Sequence, residues 1–239
     1  MPERLLMLFD TTLRNKIQIS LTSFLAYFLM SAVISQMGVV TGPMAKEFSI
    51  GIGEAAALFS YLTTGLLIGS IIALFSFVPL GLRTNIIAAC MLMLAALIGI
   101  WKVPTLTLLP AFFTAAGVSC GLLMSAATVV ITWCYAEKHR AQMLLVTDSF
   151  YSSAGVVTGL FAGYVIGKGA YWGTSYLLAI GATALIFILA LASKYPADVS
   201  AKAEIDVAIT IEKTAGKSRT PRRPNGPTDP GSEEYSPLY

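Results

Sequence analysis

Apolar residues fall into six long runs, at about residues 17–41, 55–78, 84–101, 106–133, 144–167 and 171–193. Each is close to or above the ~20 residues that an α-helix needs to cross the hydrocarbon core of a bilayer at ~1.5 Å per residue. The breaks between them are short and polar. Gly42-Pro43 follows the first run and is expected to end it, because proline cannot continue the helical hydrogen-bond ladder. A loop with Lys46, Glu47 and Glu54 comes next. Pro79-Leu-Gly-Leu-Arg83 and Lys102-Val-Pro104 read as turns, residues 135–142 (with Glu137, Lys138, His139 and Arg140) as a longer polar loop, and Lys168-Gly-Ala as the last turn.

The fifth run, residues 144–167, carries the most information. It holds Asp148, the one carboxylate inside an apolar span, and places Gly155, Gly159, Gly163 and Gly167 four residues apart. At about 100° per residue, Asp148, Ser152, Gly155 and Gly159 share a face. Opposite them are the bulky Val156, Val157, Leu160, Phe161 and Tyr164. In lipid a small-residue stripe lets a neighbouring backbone approach closely, so Gly155, Gly159 and Gly163 are expected to form a helix-packing face. An ionised carboxylate is costly in hydrocarbon, so Asp148 is expected to face the bundle interior or water.

Composition agrees with the pattern. Of 239 residues, 56% are hydrophobic and 12% charged, and the mean hydropathy is +0.73, values that exclude a soluble globular domain. The net charge of +3 is spread over loops, and no basic patch points to nucleic acid. Cys90, Cys120 and Cys134 match no metal or redox spacing and read as packing residues. One histidine, no HExxH and a Gly117-Val-Ser-Cys string without a second glycine argue against a membrane enzyme. No cofactor or metal is implied.

Six spans return both ends of the chain to one side. Arg4, Arg14, Lys16, Arg83, Lys138, Arg140 and Lys194 share that side and Lys46, Lys102 and Lys168 lie opposite, so both termini are expected in the cytoplasm, with the bundle in the inner membrane. Residues 1–16 form a cytoplasmic start whose apolar run, Leu5 to Phe9, is too short to span. No small-residue cleavage site follows that run, which argues against a removable signal peptide. Residues 17–193 form the bundle. Residues 194–239 are a polar tail, proline-rich from Thr214 onward and expected to be disordered. The abrupt change there resembles the product of a shifted reading frame.

Thr64-Gly-Leu-Leu-Ile-Gly69 in the second span reads like Thr158-Gly-Leu-Phe-Ala-Gly163 in the fifth, and the same offset places Ser31-Ala32 on Ser125-Ala126. This relates spans one to three to spans four to six, the nested three-plus-three repeat of a transporter half.

Three strings, VVTGPMAKEF, FVPLGLRT and LLVTDSFYSSAG, resemble the N-terminal half of a major facilitator superfamily transporter, within it the TsgA-like group near the fucose-proton symporters. The resemblance runs from about Ile17 to Pro196 and is most specific in the third string. It implies an all-α, polytopic fold with six transmembrane helices, one half of the superfamily's twelve. There are departures. The loop between helices two and three keeps Gly81 and Arg83 but not the family's aspartate, and the fifth helix lacks the proline of the drug-proton antiporters. The carboxylates that couple protons in helices one and four of fucose-type symporters have no counterpart.

By the same resemblance, Tyr27, Ser31 and Gln36 of helix one, with Ser125 and Thr128 of helix four, fall on the helices that line the substrate cavity. Asp148 is a candidate for substrate or cation binding; paired with Arg83 or Arg140, or capping its helix, it is instead structural. Tyr151 is placed to stack on a sugar-like ligand or to pack. The functional expectation is a solute transporter component working by alternating access. It acts on a small-molecule solute, with or without a coupling cation, and is completed by a second six-helix half or another copy of itself. The alternatives are a half-size transporter acting as a homodimer and a non-transporting membrane scaffold or remnant.

Overall fold

The computed structural model describes residues 13–102, 105–193 and 195. The expected tail, the short apolar run at Leu5 to Phe9 and the Val103-Pro104 part of the third turn lie outside them. Among the described residues, eight α-helices and one 3-10 turn follow in order: α1 Leu13–Ser35, α2 Met37–Phe48, α3 Ile52–Ala57, α4 Phe59–Leu80, α5 Leu82–Lys102, α6 Leu109–Cys134, α7 Glu137–Gly167, the 3-10 turn Trp172–Tyr176, and α8 Leu177–Ala192. They make six membrane spans, Asn15–Ser35, Ile52–Leu80, Leu82–Lys102, Leu109–Cys134, Glu137–Gly167 and Trp172–Ala192. The chain is a multi-pass membrane protein.

Two boundaries differ from expectation, each for a physical reason. Helix does not end at Gly42-Pro43. It is interrupted at Gln36, resumes as α2 and carries Pro43 inside. One proline deletes one ladder bond, a loss that membrane helices tolerate. The true stop is Ser49, in the left-handed conformation at φ 54°, where the Ile50 N–H returns to the Ala45 carbonyl at 3.0 Å. Residues 135–142, read as a loop, are mostly the first turns of α7, and only Tyr135 and Ala136 connect it to α6. Glu, Lys, Arg, Ala and Gln are good helix formers, and Glu137 suits the positive helix start. Their polarity marks emergence from the membrane, not a break.

The turn at 79–83 shrinks to Gly81, whose φ of 74° an L side chain rarely adopts. Asn85 clips it by donating from Nδ2 to the Ser76 and Gly81 carbonyls at 3.0 and 2.8 Å. On the opposite side, Tyr171 donates to the Ile100 carbonyl at 3.1 Å, tying the start of the last span to the end of α5. Arg83 closes the other end, donating from Nε and Nη2 to the Ala190 and Leu191 carbonyls at 3.3 and 2.7 Å. It thereby satisfies carbonyls that the end of α8 leaves without intrahelical donors.

Helix α6 is the hub, 61% buried over its span and packed on α1, α4 and α5. Its closest contact is with α4. A Cβ on Gly65 or Gly69 would collide with the carbonyls of Thr114 or Val118, and one on Gly117 or Gly121 with those of Leu62 or Leu66. Four glycines from two helices thus interdigitate, and the backbones touch. This is the small-residue interface of the bundle. The one expected on α7 is used only in part: Gly155 meets the Ser31 and Ser35 hydroxyls of α1, while no described atom lies within 4 Å of a Cβ built on Gly159 or Gly163. The buried stripe of α7 is Thr147, Ala154, Thr158, Ala162 and Val165.

Candidate functional site

Two hydrogen bonds fix how α1 lies against α6. Tyr27 Oη and Thr128 Oγ1 are 3.0 Å apart, and Ser20 Oγ and Tyr135 Oη are 2.9 Å apart. Both pairs have residue numbers summing to 155, the signature of antiparallel neighbours in constant register. Thr128 also donates to the Met124 carbonyl at 3.1 Å, so in its pair with Tyr27 the phenol is the donor and Thr128 Oγ1 the acceptor. The same register brings Ser125, half-buried, level with Met30 and Ser31. The Phe24–Phe150 stack, with centroids 5.1 Å apart and planes at 15°, then sets the level of α7. Asp148 and Tyr151 flank Phe150. Tyr27, Thr128 and Ser125 therefore share one zone where α1 meets α6, with Tyr151 next to Phe150 at the edge of it, while Asp148, about 160° round the helix from Phe150, faces away from the contact that Phe150 makes with α1.

Gln36 does not belong to that zone. Nine residues beyond Tyr27, it lies roughly 13 Å further along the helix axis and on the opposite helix face. It is fully buried, and neither amide atom has a hydrogen-bond partner among the described residues. It stands at the interruption between α1 and α2, where its carbonyl accepts from Val39 and Val40 at 3.0 and 2.9 Å.

Asp148 is exposed on the six-helix bundle, not turned into its interior, and pairs with no described basic residue. The two arginines proposed as its partners are occupied elsewhere: Arg83 at the end of α8, and Arg140 at the Tyr135 carbonyl, 3.1 Å away. Around Asp148, α7 also exposes Ser149, Ser152 and Ser153. Their hydroxyls are satisfied on the preceding turn, donating to the Leu145, Asp148 and Phe150 carbonyls. Helix α4 shows a matching exposed strip, Ser60, Tyr61, Thr63 and Thr64, near its own start. The two helices that carry the repeated Thr-Gly-Leu string thus both have a polar exposed face among the described residues.

Residue-type reasoning missed Arg83 as a helix-end clamp and the Tyr135 cluster. Lys16 Nζ lies 4.6 Å from the centroid of the Tyr135 ring, and Arg140 holds its carbonyl. The glycine pair on α6, Gly117 and Gly121, was a readable signal at spacing four.

The family model of the Major Facilitator Superfamily matches residues 19–225. Similar proteins include the Protein TsgA homolog of Citrobacter koseri, 30% identical over 183 residues, which are 77% of this chain and 47% of that protein. The Protein TsgA of Shigella dysenteriae serotype 1 is 29% identical over 199 residues, 83% of this chain and 51% of its own. The Protein TsgA homolog of Edwardsiella ictaluri is 32% identical over 183 residues, 76% of this chain and 46% of its own. The chain spans about half the length of the curated relatives it matches.

Proposed function

Because the chain belongs to the major facilitator superfamily, we propose that these residues work as one six-helix half of a secondary transporter. The half rocks against a second bundle around a site for a small-molecule solute, with or without a coupling cation. The site residues on this half are Tyr27, Ser125, Asp148 and Tyr151, with Gln36 a separate polar position further along helix one. The chemistry is binding and release, not covalent catalysis.

One observation carries this reading: Asp148 is an exposed carboxylate in a membrane span, without a described partner. An ionised carboxylate costs about 2.5–3.5 kcal/mol at the centre of the bilayer and less near its surface, so it belongs in water or against protein. A face that is outside in a six-helix bundle becomes the wall of a cavity once a second bundle lies against it. Burial points the same way. The span of α7 is 22% buried and that of α3 and α4 28%, against 56% for α1.

Lys16, Arg83, Lys138 and Arg140 on one side, against Lys46, Lys102 and Lys168 on the other, support an inner-membrane orientation with both termini in the cytoplasm. Cysteines at Lys102 or Lys168 should react with an impermeant thiol reagent from outside, and cysteines at Arg83 or Arg140 only after permeabilisation. Reversed labelling would overturn the orientation. For function, the purified 239-residue chain is reconstituted in liposomes. Solute uptake should require a second six-helix half or a dimer, and uptake by a monomer confirmed by cross-linking would refute the proposal.

A further inference from the structure

The serine and threonine hydroxyls that α4 and α7 expose have already committed their protons. Ser60 donates to the Ala57 carbonyl at 2.6 Å, and Thr63 and Thr64 donate to the Ser60 carbonyl at 2.9 and 2.8 Å. On α7, Ser149, Ser152 and Ser153 donate to the Leu145, Asp148 and Phe150 carbonyls at 2.9, 3.0 and 3.0 Å. A hydroxyl has one proton and two lone pairs, so each of these oxygens turns only acceptor capacity outward. The exposed Asp148 carboxylate, when ionised, adds acceptors and no donor. Among the described residues within 60–80 and 143–167, the exposed side chains that keep a proton to give are the Tyr61 and Tyr164 phenols. Charge agrees with the donor count. Residues 17–45, 60–82, 106–134 and 143–167, the apolar lengths of α1, α4, α6 and α7, contain no Lys, Arg or His, and Asp148 is their one charged side chain.

We propose that the solute met by this face is an organic cation bearing N–H donors, a primary ammonium or a guanidinium. The proposal rests on the reading above, that Asp148 lines the solute site. An anion would find neither positive charge nor side-chain donors around Asp148 to replace its water. A neutral polyol would find acceptors for its protons but no donors there for its own oxygens, which would lose water without a partner. A bare metal ion such as calcium needs several oxygens converging at about 2.3–2.6 Å. The oxygens of α7 diverge instead, since Ser152 stands about 40° round the helix from Asp148 and Ser149 about 100°. The N–H bonds of one cationic group also diverge, and so reach acceptors that a single small ion cannot. Asp148 takes the charge in a charge-assisted hydrogen bond. Ser152, one turn along and seated on the Asp148 carbonyl, accepts a second proton.

The test is equilibrium binding of four probes that share a phenethyl body and differ in headgroup: 2-phenylethylammonium, its N,N,N-trimethyl derivative, 2-phenylethanol and phenylacetate. Ligand-observed NMR on the purified chain in detergent ranks them, and part of each sample is cross-linked and run on a denaturing gel. The ammonium should bind best, and the trimethyl derivative, equally charged but without N–H, about tenfold weaker, the loss of one hydrogen bond to a charged group. Asp148→Asn should lower ammonium affinity about tenfold and Ser152→Ala about threefold, the latter without effect on the trimethyl derivative. Both side chains are exposed, so melting temperatures should hold. Preference for the alcohol or the carboxylate, equal affinity for the trimethyl derivative, no binding of any probe, or ammonium binding undiminished in Asp148→Asn would overturn the proposal. So would loss of ammonium binding when sodium replaces potassium in the buffer, which assigns the carboxylate to a metal ion. The gel separates this result from the reading beneath it. Ammonium-selective binding at Asp148 with no cross-linked partner keeps the ligand class and sinks the second bundle, and a cross-linked partner without ammonium preference does the reverse.

Discussion

Asp148 shows what a single residue reveals and what it hides. A carboxylate in an apolar run stands out in sequence, but whether it faces inward, pairs or lies exposed depends on where Arg83 and Arg140 go. Those two arginines go elsewhere. Arg83 reaches carbonyls 107 and 108 residues away, a pairing that no local pattern encodes. Asp148→Asn should therefore leave thermal stability in detergent within about 0.5 kcal/mol of wild type, as expected for an exposed unpaired site. In the assembled transporter the same change should abolish solute or cation binding. A folding loss restored by neutralising Arg83 or Arg140 would reinstate the ion pair. Tyr27→Phe removes one part-buried hydrogen bond but leaves Thr128 bonded to its own helix, so it should cost about 1 kcal/mol, read as a lowered melting temperature. No measurable cost would mean that the contact does not hold α1 against α6. Gln36 was legible as a polar residue on a cavity-lining helix by resemblance; its burial at an interruption of helix one was not, because the nearby Pro43 drew the expected break seven residues too far along.

For the helices, apolar runs located all six spans, while their ends were set by other physics. Polar helix formers extended α7 into the region read as loop, and a left-handed Ser49 outlasted Pro43 as the stop. Glycine spacing was readable on both α6 and α7, yet spacing alone does not say which stripe has a neighbour. In the fold α4 and α6 use theirs, with backbone against backbone. Gly65→Ala or Gly117→Ala should then separate the two helices and cost upwards of about 2 kcal/mol, because a carbonyl cannot move aside as a flexible side chain can. Gly159→Ala in the isolated chain should be close to neutral. Thermal unfolding in one detergent compares all three; equal losses would mean that α7 already packs through Gly159 without a second bundle.

Among the described residues, α1 and α6 form a hub flanked by α4 and α7, whose exposed faces are polar near their starts. The internal repeat announced this arrangement, since the string shared by Gly65–Gly69 and Gly159–Gly163 lies on those two flanking helices. On the proposed reading, a second bundle covers them. Covered faces and lipid faces separate in one experiment. A photoreactive benzophenone amino acid is placed at Val156 on α7, at Leu74 on α4 and at Met91 on α5, all exposed apolar positions, and irradiated in cell membranes. If α4 and α7 meet a second bundle, the Val156 and Leu74 positions give polypeptide adducts, either a dimer of this chain or a conjugate with another membrane protein, and Met91 gives lipid adducts alone. Lipid adducts alone at all three positions would contradict a six-helix half that works against a partner.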